Sequence, residues 1–142
     1  MKGETIYFFN ENINFLLKKK KIIRNWLTNV IEYEDNRIGN INIILCNDDF
    51  LFRLNQQYLQ HNTYTDIITF DLSEEAESVE GDIYISLDRA KENAKKFNQT
   101  LDSELSRLMV HGLLHLMGYT DKTKVQKKMM TEKEDFYLSL RP

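Results

Sequence analysis

The chain is poor in the residues that staple or interrupt a fold. It has one cysteine in 142 residues, so no disulfide framework is available. That residue, Cys46, lies in an apolar run, where a buried and unreactive thiol is expected. The one proline is the last residue, and there is no internal repeat or low-complexity segment. No apolar run approaches the roughly twenty residues needed to cross a bilayer. Met1-Lys2-Gly3-Glu4 lacks the apolar segment of a signal peptide. These shortages point to a reducing, cytoplasmic setting with no membrane partner. Charge of one sign is lacking too: 19 Lys and Arg against 22 Asp and Glu leave −3. That balance argues neither for nor against a nucleic-acid partner, since a local patch matters more than the sum.

What is present suits one globular unit. Apolar residues make up 42% and charged residues 29%, and residues 1–142 are the length of one domain with a substantial core. Ile6-Tyr7-Phe8-Phe9 reads as a first strand and Asn10 to Asn14 as a turn. From Phe15 to about Glu34, Ile22, Ile23, Trp26, Leu27, Val30 and Ile31 recur with helical spacing. Asp35 to Asn40 reads as a turn and Ile41 to Cys46 as a mostly buried strand. Asn47 or Asp48 can cap a helix from Phe50 to Tyr58, followed by a loop over Gln60 to Tyr64. Asp66 to Asp71 is the clearest strand, and the acidic Ser73 to Gly81 reads as a mobile connection. Asp82 to Leu87 alternates with period two. A solvent-facing helix from Asp88 to Phe97 follows, then one starting at Thr100 or Asp102. The charged segment Lys122 to Leu140 reads as a last helix, with Met129, Met130, Phe136 and Leu140 as packing residues. The order indicates an α+β fold: a small mixed sheet packed with helices.

Chemistry concentrates in one stretch, His111-Gly112-Leu113-Leu114-His115-Leu116-Met117-Gly118-Tyr119-Thr120-Asp121, which holds two of the three histidines. Histidines at i and i+4 stand one helical turn apart on one face and can reach one ion. Gly118 falls where a helix ends on a positive-φ glycine, letting the chain double back and offer Asp121. Two imidazoles and a carboxylate leave a tetrahedral zinc with one open position, the arrangement of a catalytic site. Such an ion acidifies bound water and polarises a carbonyl or phosphoryl oxygen, so the chemistry expected is hydrolysis. Gly112 in a helix interior costs about 1 kcal/mol relative to Ala, which suggests close packing against a strand or open space beside the ion.

Two hydrolase classes fit the spacing. The offsets match the extended metalloprotease pattern with Asp as the last ligand, but that chemistry needs a Glu directly after the first His. Gly112 occupies the position and cannot move a proton. Phosphodiester hydrolysis does not need a base at that place. A third reading is non-catalytic: a binding factor whose metal only stabilises the helix end.

The run His111 to Tyr119 closely resembles the H-G-x-L-H-L-x-G-Y signature of the YbeY family of bacterial endoribonucleases. Tyr64-Thr65-Asp66-Ile67-Ile68-Thr69-Phe70 is similar to that family's T-[DN]-V-L-S-F strand, and Gly81 to Ser86 to its G-D-I-x-I strand. Asn55-Gln56-Gln57-Tyr58 resembles its N-x-x-Y helix end. The resemblance implies a compact α+β fold related to zinc proteases, with one Zn2+ held by His111, His115 and Asp121. It implies a single-strand-specific, zinc-dependent endoribonuclease acting in 16S rRNA 3′-end maturation and 70S ribosome quality control. Its partners would be single-stranded rRNA and the ribosome or small-subunit proteins. Two positions depart from the pattern: Asp121 stands where the family usually has a third His, and Leu59 where it often has Arg. His61 or the Arg53 region could take over the latter's part. Asp66 could orient a ligand imidazole, Thr69 and Tyr119 could line the cleft, and Arg89, Lys91, Lys95 and Lys96 could follow an RNA backbone. No residue is assigned as general base.

Overall fold

A computed structural model of the chain describes residues 5–61 and 63–142. The N-terminal four residues, read above for a signal peptide, and Asn62 of the expected loop lie outside them. Among the described residues the elements run β1 (Ile6–Glu11), α1 (Lys20–Tyr33), β2 (Arg37–Cys46), α2 (Asp48–Leu59), β3 (Ile67–Asp71), β4 (Ser78–Ser86), α3 (Leu87–Lys96), α4 (Leu101–Leu116) and α5 (Lys124–Ser139). The sheet order is β1-β2-β4-β3, with β1, β2 and β4 parallel and β3 antiparallel at one edge. The expected α+β class with a small mixed sheet is what forms.

The local reasons are those of the residues themselves. Asn47, Ser86, Thr100 and Thr123 each accept a hydrogen bond from the backbone N–H three positions on, capping α2, α3, α4 and α5. In β4, Val79, Ile83 and Ile85 point to one face and are at most 1% exposed. That face carries the main core, built with Leu27, Ile31, Leu105, Met109, Leu113 and Leu114 from α1 and α4. The opposite face holds a smaller cluster, Cys46, Leu51 and Ile68 with Phe50 and Phe70, beneath α2. Gly112 brings α4 down onto the sheet. A Cβ there would meet Ile83 Cγ2 at 2.8 Å and Ile67 Cδ1 at 3.2 Å, so the packing alternative read from the sequence holds.

Three boundaries differ from expectation. Helix α1 starts at Lys20, not near Phe15, because Lys19 has φ 59° and breaks the helical path, while Leu17 packs into the core. The turn expected at Asp35–Asn40 shrinks: Asp35 alone takes positive φ, and β2 begins at Arg37. β4 likewise begins at Ser78, inside the segment read as a mobile connection. Arg37 pairs with Ser78 and Ile38 with Val79 across an irregularity before Ile41. Both extensions mix polar residues with a single apolar one, Ile38 or Val79, and their pairing with each other brings them into the sheet. In α5 the buried face is Met130, Glu134 and Tyr137, whereas Met129, Phe136 and Leu140 are exposed.

Candidate metal centre

The last turn of α4 and the bend after it build the site. Gly118 has φ 98°, its N–H donates to the His115 carbonyl at 3.0 Å, and the Tyr119 N–H donates to the Leu114 carbonyl at 3.0 Å. This pair of bonds is the Schellman ending, which needs a left-handed residue where Gly118 stands. The chain thereby reverses and returns Asp121 beside the histidines.

His111, His115 and Asp121 come together, and their ligand atoms all lie within 4.8 Å of one another. The two Nε2 atoms are 3.0 Å apart. Asp121 Oδ2 lies 3.4 Å from His111 Nε2 and 3.5 Å from His115 Nε2. A tetrahedral ion with bonds of about 2.0–2.1 Å sets its ligand atoms roughly 3.3–3.4 Å apart. The three observed separations fall around that value.

The outward nitrogens decide which tautomers are present. His115 Nδ1 donates to the Tyr119 carbonyl at 3.0 Å, an atom that can only accept. His111 Nδ1 donates to Glu134 Oε2 at 2.6 Å. When the rings are neutral, each therefore presents an Nε2 lone pair to the other, and the Asp121 carboxylate adds a third acceptor. Three acceptors converging without a donor among them repel unless a cation lies between, so the donor set fits a metal ion. Burial pulls the His111 imidazolium down in pKa, but the Glu134 bond and charge, with Asp121 and Asp66 nearby, outweigh it and raise the value overall.

Glu134 escaped the sequence reading. It is 6% exposed, and Arg107 Nη1 donates to its other oxygen at 2.8 Å while Arg107 Nη2 donates to Asp135 at 2.6 Å. Its signal was a carboxylate at the i+4 position between Met130 and Tyr137 on the buried face of α5. Asp66, named for the orienting role, instead accepts from Asn93 Nδ2 at 3.1 Å. Tyr119 stabilises the turn, its hydroxyl donating to Glu34 Oε1 at 2.6 Å.

Two cavities of about 430 Å³ each meet over the triad and share His111, Asp121, Asp66 and Ile67 as walls. The first runs along β3 and the loop before it, past Thr69, Leu59 and His61. The second runs between α3, α4 and α5, past Phe97, Arg107 and Lys127. Of the two stand-ins for the family arginine, His61 lines the cleft and Arg53 does not. Arg89, Lys91, Lys95 and Lys96 line neither cavity. Arg89 is held by Asp48 at 3.1 Å and lies over the Tyr64 ring.

The relatives agree with this architecture. The family profile Endoribonuclease YbeY matches residues 7–140. The chain is 49% identical to the Endoribonuclease YbeY of Cytophaga hutchinsonii, over 99% of both chains. It is 44% identical to that of Amoebophilus asiaticus, over 97% of this chain and 94% of the relative. Among solved structures it resembles the solution structure of the Thermotoga maritima protein TM1509 with a TM-score of 0.64. That pair is 34% identical, covering 94% of this chain and 87% of the other. A profile matched along almost the whole chain, near-half identity and the shared fold make the chain a member of the endoribonuclease YbeY family.

Proposed function

We propose that this protein is a zinc-dependent, single-strand-specific endoribonuclease acting in 16S rRNA 3′-end maturation and 70S ribosome quality control. Family membership supports the endoribonuclease activity. The ribosomal role rests on the resemblance of the motifs. The observation that carries the metal reading is the convergence of two imidazole Nε2 atoms and a carboxylate oxygen at tetrahedral spacing.

In this reading His111, His115 and Asp121 hold one Zn2+. The ion supplies Lewis acidity, acidifying water and polarising a phosphoryl oxygen. Glu134 and the Tyr119 carbonyl hold the two rings by their Nδ1–H groups, so neither imidazole has to reorient during turnover. The triad stays partly open, with side-chain exposures of 19%, 25% and 37% for His111, His115 and Asp121. That openness, beneath two joined cavities, favours catalysis over a purely structural ion and suits a strand laid across the site. The protease alternative asks for a carboxylate at position 112, which lies against Ile83 and Ile67 with no room for a side chain.

The test compares wild type with His111→Ala, His115→Ala and Asp121→Ala for bound zinc and for cleavage of single-stranded RNA. Each substitution should remove both, by at least 100-fold in cleavage if the ion provides several kcal/mol of transition-state stabilisation. Cleavage that persists after zinc is lost in all three would overturn the reading.

A further inference from the structure

The turn carrying Tyr119 and Asp121 is held from behind by a buried carboxylate. Glu34 follows the last residue of α1, and its side chain is 9% exposed. The Tyr119 hydroxyl donates to its Oε1 at 2.6 Å, Lys133 Nζ donates to Oε2 at 3.0 Å, and the Tyr137 hydroxyl donates to Oε2 as well. Burial pushes the Glu34 carboxyl up, but these three bonds and the Lys133 charge more than offset it, so the group stays ionised. Lys133 also lies 5.0 Å from the centre of the Tyr119 ring. Tyr119 is thus gripped by its ring and hydroxyl, while its carbonyl accepts the Nδ1–H of His115.

A buried charge is a costly way to fill space, and an apolar side chain of similar volume often serves stability as well or better. The arrangement makes sense as orientation. We propose that Glu34 is a positioning residue for the metal centre: by anchoring Tyr119 it holds that residue's carbonyl against His115 Nδ1 and keeps His115 Nε2 turned toward His111 and Asp121. The proposal rests on the ligand reading above. It makes α1, which contributes no ligand, part of the site.

Four variants separate orientation from mere stability. Tyr119→Phe and Glu34→Ala cut the link. Glu34→Gln keeps an acceptor for the Tyr119 hydroxyl, and Tyr137→Phe removes a different bond to Glu34 while leaving the link intact. Zinc affinity, measured by competition with a chromophoric chelator, should fall about 10- to 100-fold in Tyr119→Phe and Glu34→Ala, the range for groups that orient a ligand. It should recover to within a few-fold in Glu34→Gln and stay unchanged in Tyr137→Phe. The double variant Tyr119→Phe/Glu34→Ala should bind no more weakly than the weaker single one, because both cut one chain of contacts. The visible spectrum of the Co2+-substituted protein should shift in the same two variants only.

In metal-free protein, long-range 1H–15N NMR should find His115 as the Nδ1–H tautomer in wild type and Tyr137→Phe, and as a mixture in Tyr119→Phe and Glu34→Ala. Wild-type affinity and tautomer in both link-cutting variants, with native circular dichroism, would overturn the proposal. So would an equal loss in Tyr137→Phe. A wild type that takes up no zinc would sink the ligand reading, while the tautomer measurement would still decide what Glu34 does. If Glu34→Ala fails to fold, Tyr119→Phe, which removes one hydroxyl, decides alone.

Discussion

His111 and His115 differ from ordinary core histidines in where their hydrogens are spent. Each ring uses its Nδ1–H on a fixed acceptor, Glu134 or the Tyr119 carbonyl, and turns its Nε2 toward its neighbour. The chain's one cysteine shows the opposite case, a potential ligand that the fold silences. Cys46 is fully buried, and its Sγ lies 3.5 Å from the Ile85 carbonyl. Burial first, and then the charges of Asp48, Asp88 and Glu11, push its thiol up to about 12. At pH 8 only about one molecule in ten thousand then carries the reactive thiolate. Iodoacetamide at pH 8 should leave the native protein unmodified by mass spectrometry and add one adduct in urea; rapid labelling without urea would contradict the assigned burial. The triad was legible in the sequence because its members lie within eleven residues, tied by helical periodicity and one glycine. Glu134 and Glu34 were not, since they reach His111 and Tyr119 across 23 and 85 residues. No periodicity connects such positions.

Elements were legible where their own residues determine them. The starts of α2 and α4, read at Asn47 or Asp48 and at Thr100 or Asp102, fall at Asn47 and Thr100, and the turn at Gly118 follows from local hydrogen bonding too. The first strand residues of β2 and β4 were missed because they enter the sheet by pairing with segments distant in sequence, each other among them. The face of α5 was misjudged for a related reason: its buried residues include a glutamate, which hydrophobic spacing cannot credit. Gly112 is where element packing meets the site. Alanine there would gain about 1 kcal/mol in helix propensity. Against that, its methyl would press on Ile83, which is 0% exposed. Overpacking a rigid site typically costs about 1–3 kcal/mol. Gly112→Ala should therefore lower the free energy of unfolding by about 1 kcal/mol in urea titrations, an estimate from the difference of those two terms. A stabilised variant would mean that α4 has room to lift away from β4.

At the scale of the whole molecule, the site sits where three helices meet beyond one part of the sheet. α4 supplies two ligands, the turn after it supplies the third, α5 holds His111 through Glu134, and α1 reaches the turn through Glu34. α1 and α5 are tied again where Trp26 Nε1 donates to the Tyr137 carbonyl at 2.9 Å. The sheet contributes a cleft wall along β3 but no ligand. An ion bound by the native arrangement would thus join α4 to the turn after it, in a geometry that α1 and α5 hold from outside, and the unfolded chain offers no such preformed site. Linkage then requires zinc to stabilise the fold. At a free concentration 100 times the dissociation constant the gain is about 2.7 kcal/mol. For a chain of this length each kcal/mol raises the melting temperature by roughly 3 °C, so zinc should raise it by about 8 °C. EDTA should reverse the shift, and Asp121→Ala should lose most of it. Identical scanning-calorimetry traces with zinc and with EDTA would mean that the native state holds no ion at these residues, and the facing imidazoles would then need a proton between them.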